Sequence, residues 1–272
     1  MSVFSQRYRF TGTRIVPCYL EFDKLVFLHV EKTAGMTTRR ILCGLFGNGD
    51  VSPHSDKDDF EDYIASHPVL VGHVDYAFVT QLIPSFGWFT FLRDPVERAV
   101  SLMNYWAFQV QNQTSHWTDG SEIEREAYHI ANSATFEAFI SSPNEKIRRE
   151  LQNHACWRIT GRRQEDLLDE EYAALAFKRV REEAIFFGLQ EHYPLSLLQI
   201  PILMNIDTSG TIFPHERINQ VPNPRLSRVD VQSVDRSVLG ADVIFFNHAR
   251  ELFHKRMEAL IPHVFQRLSS KS

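Results

Sequence analysis

Three short apolar runs punctuate the first hundred positions, and each ends abruptly in polar or small residues. They are Leu25-Val26-Phe27-Leu28-His29-Val30, Val69-Leu70-Val71 running into Gly72-His73, and Trp88-Phe89-Thr90-Phe91-Leu92 running into Arg93-Asp94-Pro95. Near-continuous apolar character over so few residues predicts strands covered on both faces, as in a parallel sheet. After the first run, apolar positions resume at Ile41, Leu42, Leu45 and Phe46, which predicts a helix from near Thr37. After the third, Pro95 suits the first position of a helix that Asp94 can cap. Helical periodicity covers about 135–141, 145–160 and 169–184, followed by a strand over 185–188 and a further helix. A last amphipathic helix is predicted from Ala241 to about Leu260, with Phe245, Phe246, Ala249, Leu252, Phe253 and Met257 as its core face. Alternation of this kind predicts an α/β fold of three layers, a central, mostly parallel sheet flanked by helices.

The residues at the strand ends carry the chemistry. Following the first run, Glu31-Lys32-Thr33-Ala34-Gly35-Met36-Thr37-Thr38 makes a strand, a turn and a helix N-terminus. Unpaired N–H groups and the helix dipole there point at one spot, which is an anion site. Lys32 adds a positive charge, Thr33, Thr37 and Thr38 add hydroxyls, and Gly35 lets backbone approach the ligand. The reading is a phosphate or sulfate ester. It is not the usual triphosphate loop, because the Lys precedes the loop's only Gly and no Mg²⁺ ligands are evident. Arg93 stands at the C-terminal edge of its strand, where ligands collect in open α/β sheets. Ser101 lies two turns along the next helix, so the chain would have to fold back for both to reach one phosphate.

Lys32-Thr33-x-Gly35-x-Thr37 resembles the 5′-phosphosulfate loop of sulfotransferases that use 3′-phosphoadenosine 5′-phosphosulfate. Leu92-Arg93-Asp94-Pro95-x-x-Arg98-x-x-Ser101 is similar to their 3′-phosphate segment. Gly72-His73-Val74-Asp75-Tyr76 looks like the Gly-His and His-x-Asp-aromatic segments of heparan sulfate 2-O- and 6-O-sulfotransferases. Weaker likenesses at 151–161 and 186–198 extend the resemblance over most of 24–260. It implies a P-loop-like fold and transfer of a sulfuryl group to an acceptor hydroxyl, on a carbohydrate or a small molecule, without a metal. It further implies donor contacts from Lys32, Thr33, Ala34, Gly35, Met36, Thr37 and Thr38, with Arg93 and Ser101 on the 3′-phosphate. Lys32 then stabilises the leaving oxygen, and His73 is the base. Three positions depart from the family: Glu31 stands where Pro is common, and Ala34 and Met36 replace commoner residues. Glu31 either repels the donor, points to solvent or acts as a base. A non-catalytic nucleotide-binding or protein-interaction descendant and a P-loop kinase-like phosphotransferase are the alternatives.

Composition narrows the field further. The chain has 272 residues, 43% hydrophobic and 23% charged, with a net charge of −5, so neither a nucleic-acid partner nor a general polyanion field is implied. Lys146, Arg148, Arg149, Arg158, Arg162 and Arg163 form a local basic stretch, read as a solvated helix face with an acidic acceptor as the alternative. Cys18, Cys43 and Cys156 are too few and too scattered for a disulfide framework, and no Cys/His spacing predicts a zinc site. With no signal peptide or membrane span, a cytoplasmic protein is the simplest expectation, though a trimmed luminal domain would look similar. Residues 1–23 read as a lead-in and 24–265 as one domain. Within it, polar 109–134 (Gln109, Gln111, Asn112, Gln113, His116, Trp117) and Pro-containing 205–237 read as lid or acceptor loops. Oligomeric state is left open.

Overall fold

Residues 4–22, within the segment read as a lead-in, form a hairpin in the computed structural model, which describes residues 4–164, 166–204, 206 and 234–269. Strands β1 (Phe4–Thr11) and β2 (Arg14–Phe22) pair antiparallel across a turn in which Gly12 takes φ +59°. The hairpin joins the core through buried Phe4, Phe10 and Phe22, with Phe4 stacked on Phe22 at 5.7 Å.

Next come β3 (Lys24–Leu28), α1 (Gly35–Phe46), β4 (Val51–Ser55), α2 (Lys57–Ile64), β5 (Val69–Gly72), α3 (Tyr76–Leu82) and β6 (Phe86–Leu92). The predicted strands are thus present, and β4 is an additional one whose Ser-Pro-His-Ser sequence carries little strand signal. A helical segment follows: α4 (Pro95–Gln111), α5 (Ser115–Thr118), α6 (Glu122–Ser133), α7 (Phe136–Ile140), α8 (Glu145–Leu151), α9 (His154–Thr160) and α10 (Asp169–Glu182). Strand β7 (Phe186–Leu189), helices α11 (Tyr193–Leu197) and α12 (Gln199–Leu203), and the long α13 (Ala241–Ser269) complete it.

All five sheet strands run parallel, in the order β4-β5-β3-β6-β7, and helices flank the sheet. The architecture is α/β, as the alternation predicts. Inside the sheet Phe27, Phe89 and Phe186 stack across three neighbouring strands, at 5.0 and 4.7 Å. Transfer of such rings from water supplies about 2–3 kcal/mol each. A second core lies among the helices: Leu102, Met103 and Trp106 of α4 pack with Ala127, Tyr128, Phe136, Phe139 and Ile147. The predicted apolar stripe of α13 is buried.

Two local differences have physical causes. The 109–134 segment is largely helical, because Ser121 and Glu124 form a reciprocal capping box that starts α6. The single helix expected over 145–160 is broken at Gln152 and Asn153, where Asn153 takes φ 56°. Most of 205–237 lies outside the described residues.

Candidate functional site

Strands β5, β3 and β6 are neighbours and parallel, so the residues following them leave the sheet at the same edge. The chain winds from β3 to β4 and β5 on one side, then crosses to β6 and β7 on the other. The end of β3 is therefore the topological switch point, where ligands bind in open sheets.

Between Leu28 and α1 the backbone passes through two non-glycine residues in the left-handed region, Lys32 and Ala34, each at φ 69°. Positions of this kind cost on the order of 1 kcal/mol or more; left-handed residues within a turn are the means by which successive N–H groups can converge on an anion. Thr33 Oγ1 donates to the Val30 carbonyl at 2.6 Å, and Thr38 Oγ1 donates to the Ala34 carbonyl at 3.0 Å with the Tyr193 hydroxyl at 2.9 Å. Both threonines are buried, so their hydroxyls brace the loop from within. Met36 is exposed and Thr37 half-buried in the first turn of α1, which begins at Gly35, two residues earlier than predicted. A Cβ on Gly35 would stand 1.9 Å from a ring carbon of His29. The glycine is thus required by the side chain beneath the loop.

Lys32 is enclosed, with Nζ 4.0 Å from the centre of the Tyr105 ring. Among the described residues no carboxylate pairs with it. Burial, and then the charge of Arg93, lower its pKa from the usual 10.5 to about 8. Arg93 reaches across from the end of β6: Nη1 donates to the Lys32 carbonyl at 3.4 Å and Nη2 to Glu97 at 3.3 Å, while its buried Nε has no partner. Asp94 caps α4 by accepting from the N–H groups of Val96 and Glu97, as predicted. The structure thus joins Lys32 to Arg93. Ser101 is half-buried two turns along α4, and no contact among the described residues ties it to Arg93.

His73 follows β5 directly. Its Nδ1 lies 3.0 Å from Asp56 Oδ1, which leaves Nε2 as the acceptor when the ring is neutral. Two histidines unremarked in the sequence stand beside it: the His29 and His54 rings lie 4.6 and 4.3 Å from that of His73. Burial, then the neighbouring His73, lowers the His54 pKa to about 4; His29 is held well below its ordinary value by burial and by the same neighbours. The Asp75 of the His-x-Asp segment caps α3, accepting from the Phe78 N–H at 2.9 Å.

Glu31 does not point to solvent. It is bound by Arg158 through both oxygens and by His154 Nε2. Burial pushes its carboxyl up, but the charges and hydrogen bonds of His154 and Arg158 outweigh this and hold it well below the usual range. Arg158 also donates Nη1 to the His73 carbonyl at 2.8 Å. Periodicity could not pair residues so far apart. His29 alone carried a local signal, a polar ring inside an apolar run.

A half-buried ammonium with no carboxylate partner among the described residues, an arginine with a buried N–H lacking an acceptor and a loop with two left-handed residues thus lie together at the switch point. The model of the sulfotransferase family matches residues 19–164, which include all of these features. The chain belongs to the sulfotransferase family. Sulfuryl transfer, in general terms, is the chemistry that membership assigns. A search of curated proteins finds no match. Among the described residues of this sulfotransferase, no helix is long and apolar enough to cross a membrane.

Proposed function

We propose that this sulfotransferase takes the sulfuryl group from 3′-phosphoadenosine 5′-phosphosulfate and places it on a hydroxyl of a carbohydrate acceptor. The observation that carries the reading is the contact between the Arg93 guanidinium and the Lys32 carbonyl, which ties the ends of two adjacent strands together at the loop that carries Lys32. The bound donor supplies an activated sulfuryl group and a bisphosphate leaving group that keeps the electron pair of the broken S–O bond.

The remaining work falls to the chain. Lys32 and the N–H groups of residues 33–37 stabilise the charge that grows on the leaving oxygen, in a site where preorganised donors act most strongly. Arg93, with Ser101 farther along α4, is assigned the 3′-phosphate. Neutral His73 takes the acceptor proton on Nε2 as the new O–S bond forms, with Asp56 holding its Nδ1–H. Glu31 stays out of the chemistry, neutralised by Arg158. Segments 109–134 and 205–237 are assigned to the acceptor side.

Calorimetric titration with 3′-phosphoadenosine 5′-phosphate against adenosine 5′-phosphate tests the donor. Tight binding of the first alone, weakened in Arg93→Ala, is expected; equal or absent binding overturns the assignment. Transfer lost in Lys32→Ala and His73→Ala with folding intact is expected; wild-type transfer rates in both overturn those two assignments, and absence of transfer by the wild type leaves only a binding protein.

A further inference from the structure

We propose that His29, His54 and His73 form a binding site for a divalent late-transition metal ion of the zinc class. Its occupancy blocks transfer by taking up the His73 lone pair, a consequence that rests on the role proposed above for His73.

The fold builds the cluster. Strands β4, β5 and β3 are adjacent, and the three rings stand at or just beyond their C-terminal ends. Ring centroids are separated by 4.3, 4.6 and 4.9 Å, and one nitrogen from each ring lies within 4.8 Å of the other two. His29 Nδ1 is 2.7 Å from His54 Nε2, so two imidazoles share a single proton where no other acceptor lies between them. The remaining nitrogen of His29, Nε2, is buried without a partner.

Three further features suit a metal. Imidazole nitrogen is the ligand that zinc, copper and nickel favour, and three histidines with one open position is a known zinc arrangement. Zn–N distances near 2.0–2.1 Å in a tetrahedron place ligand nitrogens about 3.4 Å apart, so the His29–His54 pair has to open by under ~1 Å. Asp56 on the Nδ1 of His73 supplies the carboxylate that typically orients a metal-bound imidazole. Gly35 lies against the His29 ring, with no room for a Cβ between them. Arg158 is engaged by Glu31 and Arg39 by the Ser52 carbonyl at 2.8 Å, while Asp56 adds negative charge beside the rings.

Metal-free protein titrated with Zn²⁺ tests the site, and Co²⁺ absorption reports tetrahedral nitrogen coordination. One ion per chain is expected, with Kd about micromolar or tighter. His54→Gln should weaken it by about 100-fold, and Asp56→Asn by about tenfold, the range for lost outer partners. The thermal midpoint and the binding of 3′-phosphoadenosine 5′-phosphate confirm that His54→Gln is folded. Absent binding, or affinity equal to wild type in His54→Gln and in His73→Gln, overturns the site and leaves the donor titration to be judged by itself. Stoichiometric binding that leaves transfer unaffected supports the site but overturns the block, and with it His73 as base.

Discussion

Replacing Lys32 by Met should make the ligand-free protein more stable while abolishing donor binding. The charged side chain is enclosed without a carboxylate, and its pKa falls from 10.5 to about 8. At about 1.4 kcal/mol for each tenfold change in proton affinity, holding it charged at pH 7 costs the fold roughly 3 kcal/mol. The ammonium over the Tyr105 ring returns about 1 kcal/mol of this. Met keeps most of the aliphatic stem and removes the charge, so a net gain near ~2 kcal/mol is expected at neutral pH. The sign with pH follows from linkage. A lowered amine pKa means the unfolded chain binds more protons between about 8 and 10.5, so wild-type stability rises through that window. Urea unfolding of both proteins at pH 7 and at pH 10.5 or above is the assay. The Met variant should lead at pH 7, and the gap should close or reverse at the higher pH. Donor affinity of the wild type should fall above pH 8, by up to about tenfold per pH unit, because binding must then take up a proton. A Met variant less stable than wild type at pH 7 would refute the reasoning, since Lys32 would then be stabilised by the fold rather than held in reserve for an anion.

Gly35→Ala drives a Cβ to 1.9 Å from the His29 ring and should destabilise the protein by about 1–3 kcal/mol; an unchanged thermal midpoint would contradict the packing. Arg158→Met leaves Glu31 buried beside His154 without its main partner and should cost about 3–5 kcal/mol, much of it recovered in Glu31→Gln/Arg158→Met. Because the Glu31 pKa is depressed, its contribution is complete above the ordinary carboxylate range and lost as pH falls through the folded value. Acid titration of stability should therefore be steeper in wild type than in the double variant. Asp56→Asn should lower kcat by about tenfold with the affinity for 3′-phosphoadenosine 5′-phosphate unchanged. Weakened nucleotide binding instead would place Asp56 on the donor side.

What could be read from the sequence lay at the ends of buried parallel strands. Leu25 to Leu28, Val69 to Val71 and Phe89 to Leu92 are apolar because both faces are covered, and the residues after them had to share one edge of the sheet. Lys32, His73 and Arg93 were therefore placeable as a group before any contact was known. The contacts between them were not, because Arg93 donating to Lys32 depends on which strands are neighbours. His54 was hidden for a related reason, since β4 is a short edge strand containing Pro53 and carries no apolar run. The 109–134 segment was read from its polarity alone, although Ser121-x-x-Glu124 announces a helix start. The hydroxyls of Thr33 and Thr38 show the converse limit: residue type suggested ligand donors, but both side chains face the loop's own carbonyls.

Glu31 shows how the loop accommodates a carboxylate where relatives commonly have Pro. An uncompensated charge there would oppose an anionic donor across a few ångströms in a site partly shielded from water, where such repulsion is strong. The structure instead turns Glu31 toward α9, where Arg158 holds both of its oxygens and His154 closes the third bond. Arg158 also donates to the His73 carbonyl, so the same guanidinium fastens the end of β3, the end of β5 and helix α9 to one another. Pro would have stiffened this turn through its fixed φ; Glu achieves the restraint through an ion pair whose arginine also reaches the end of β5. Lys32 is left without a carboxylate partner among the described residues, and a position that departs from the family's pattern becomes a support for residues that resemble it.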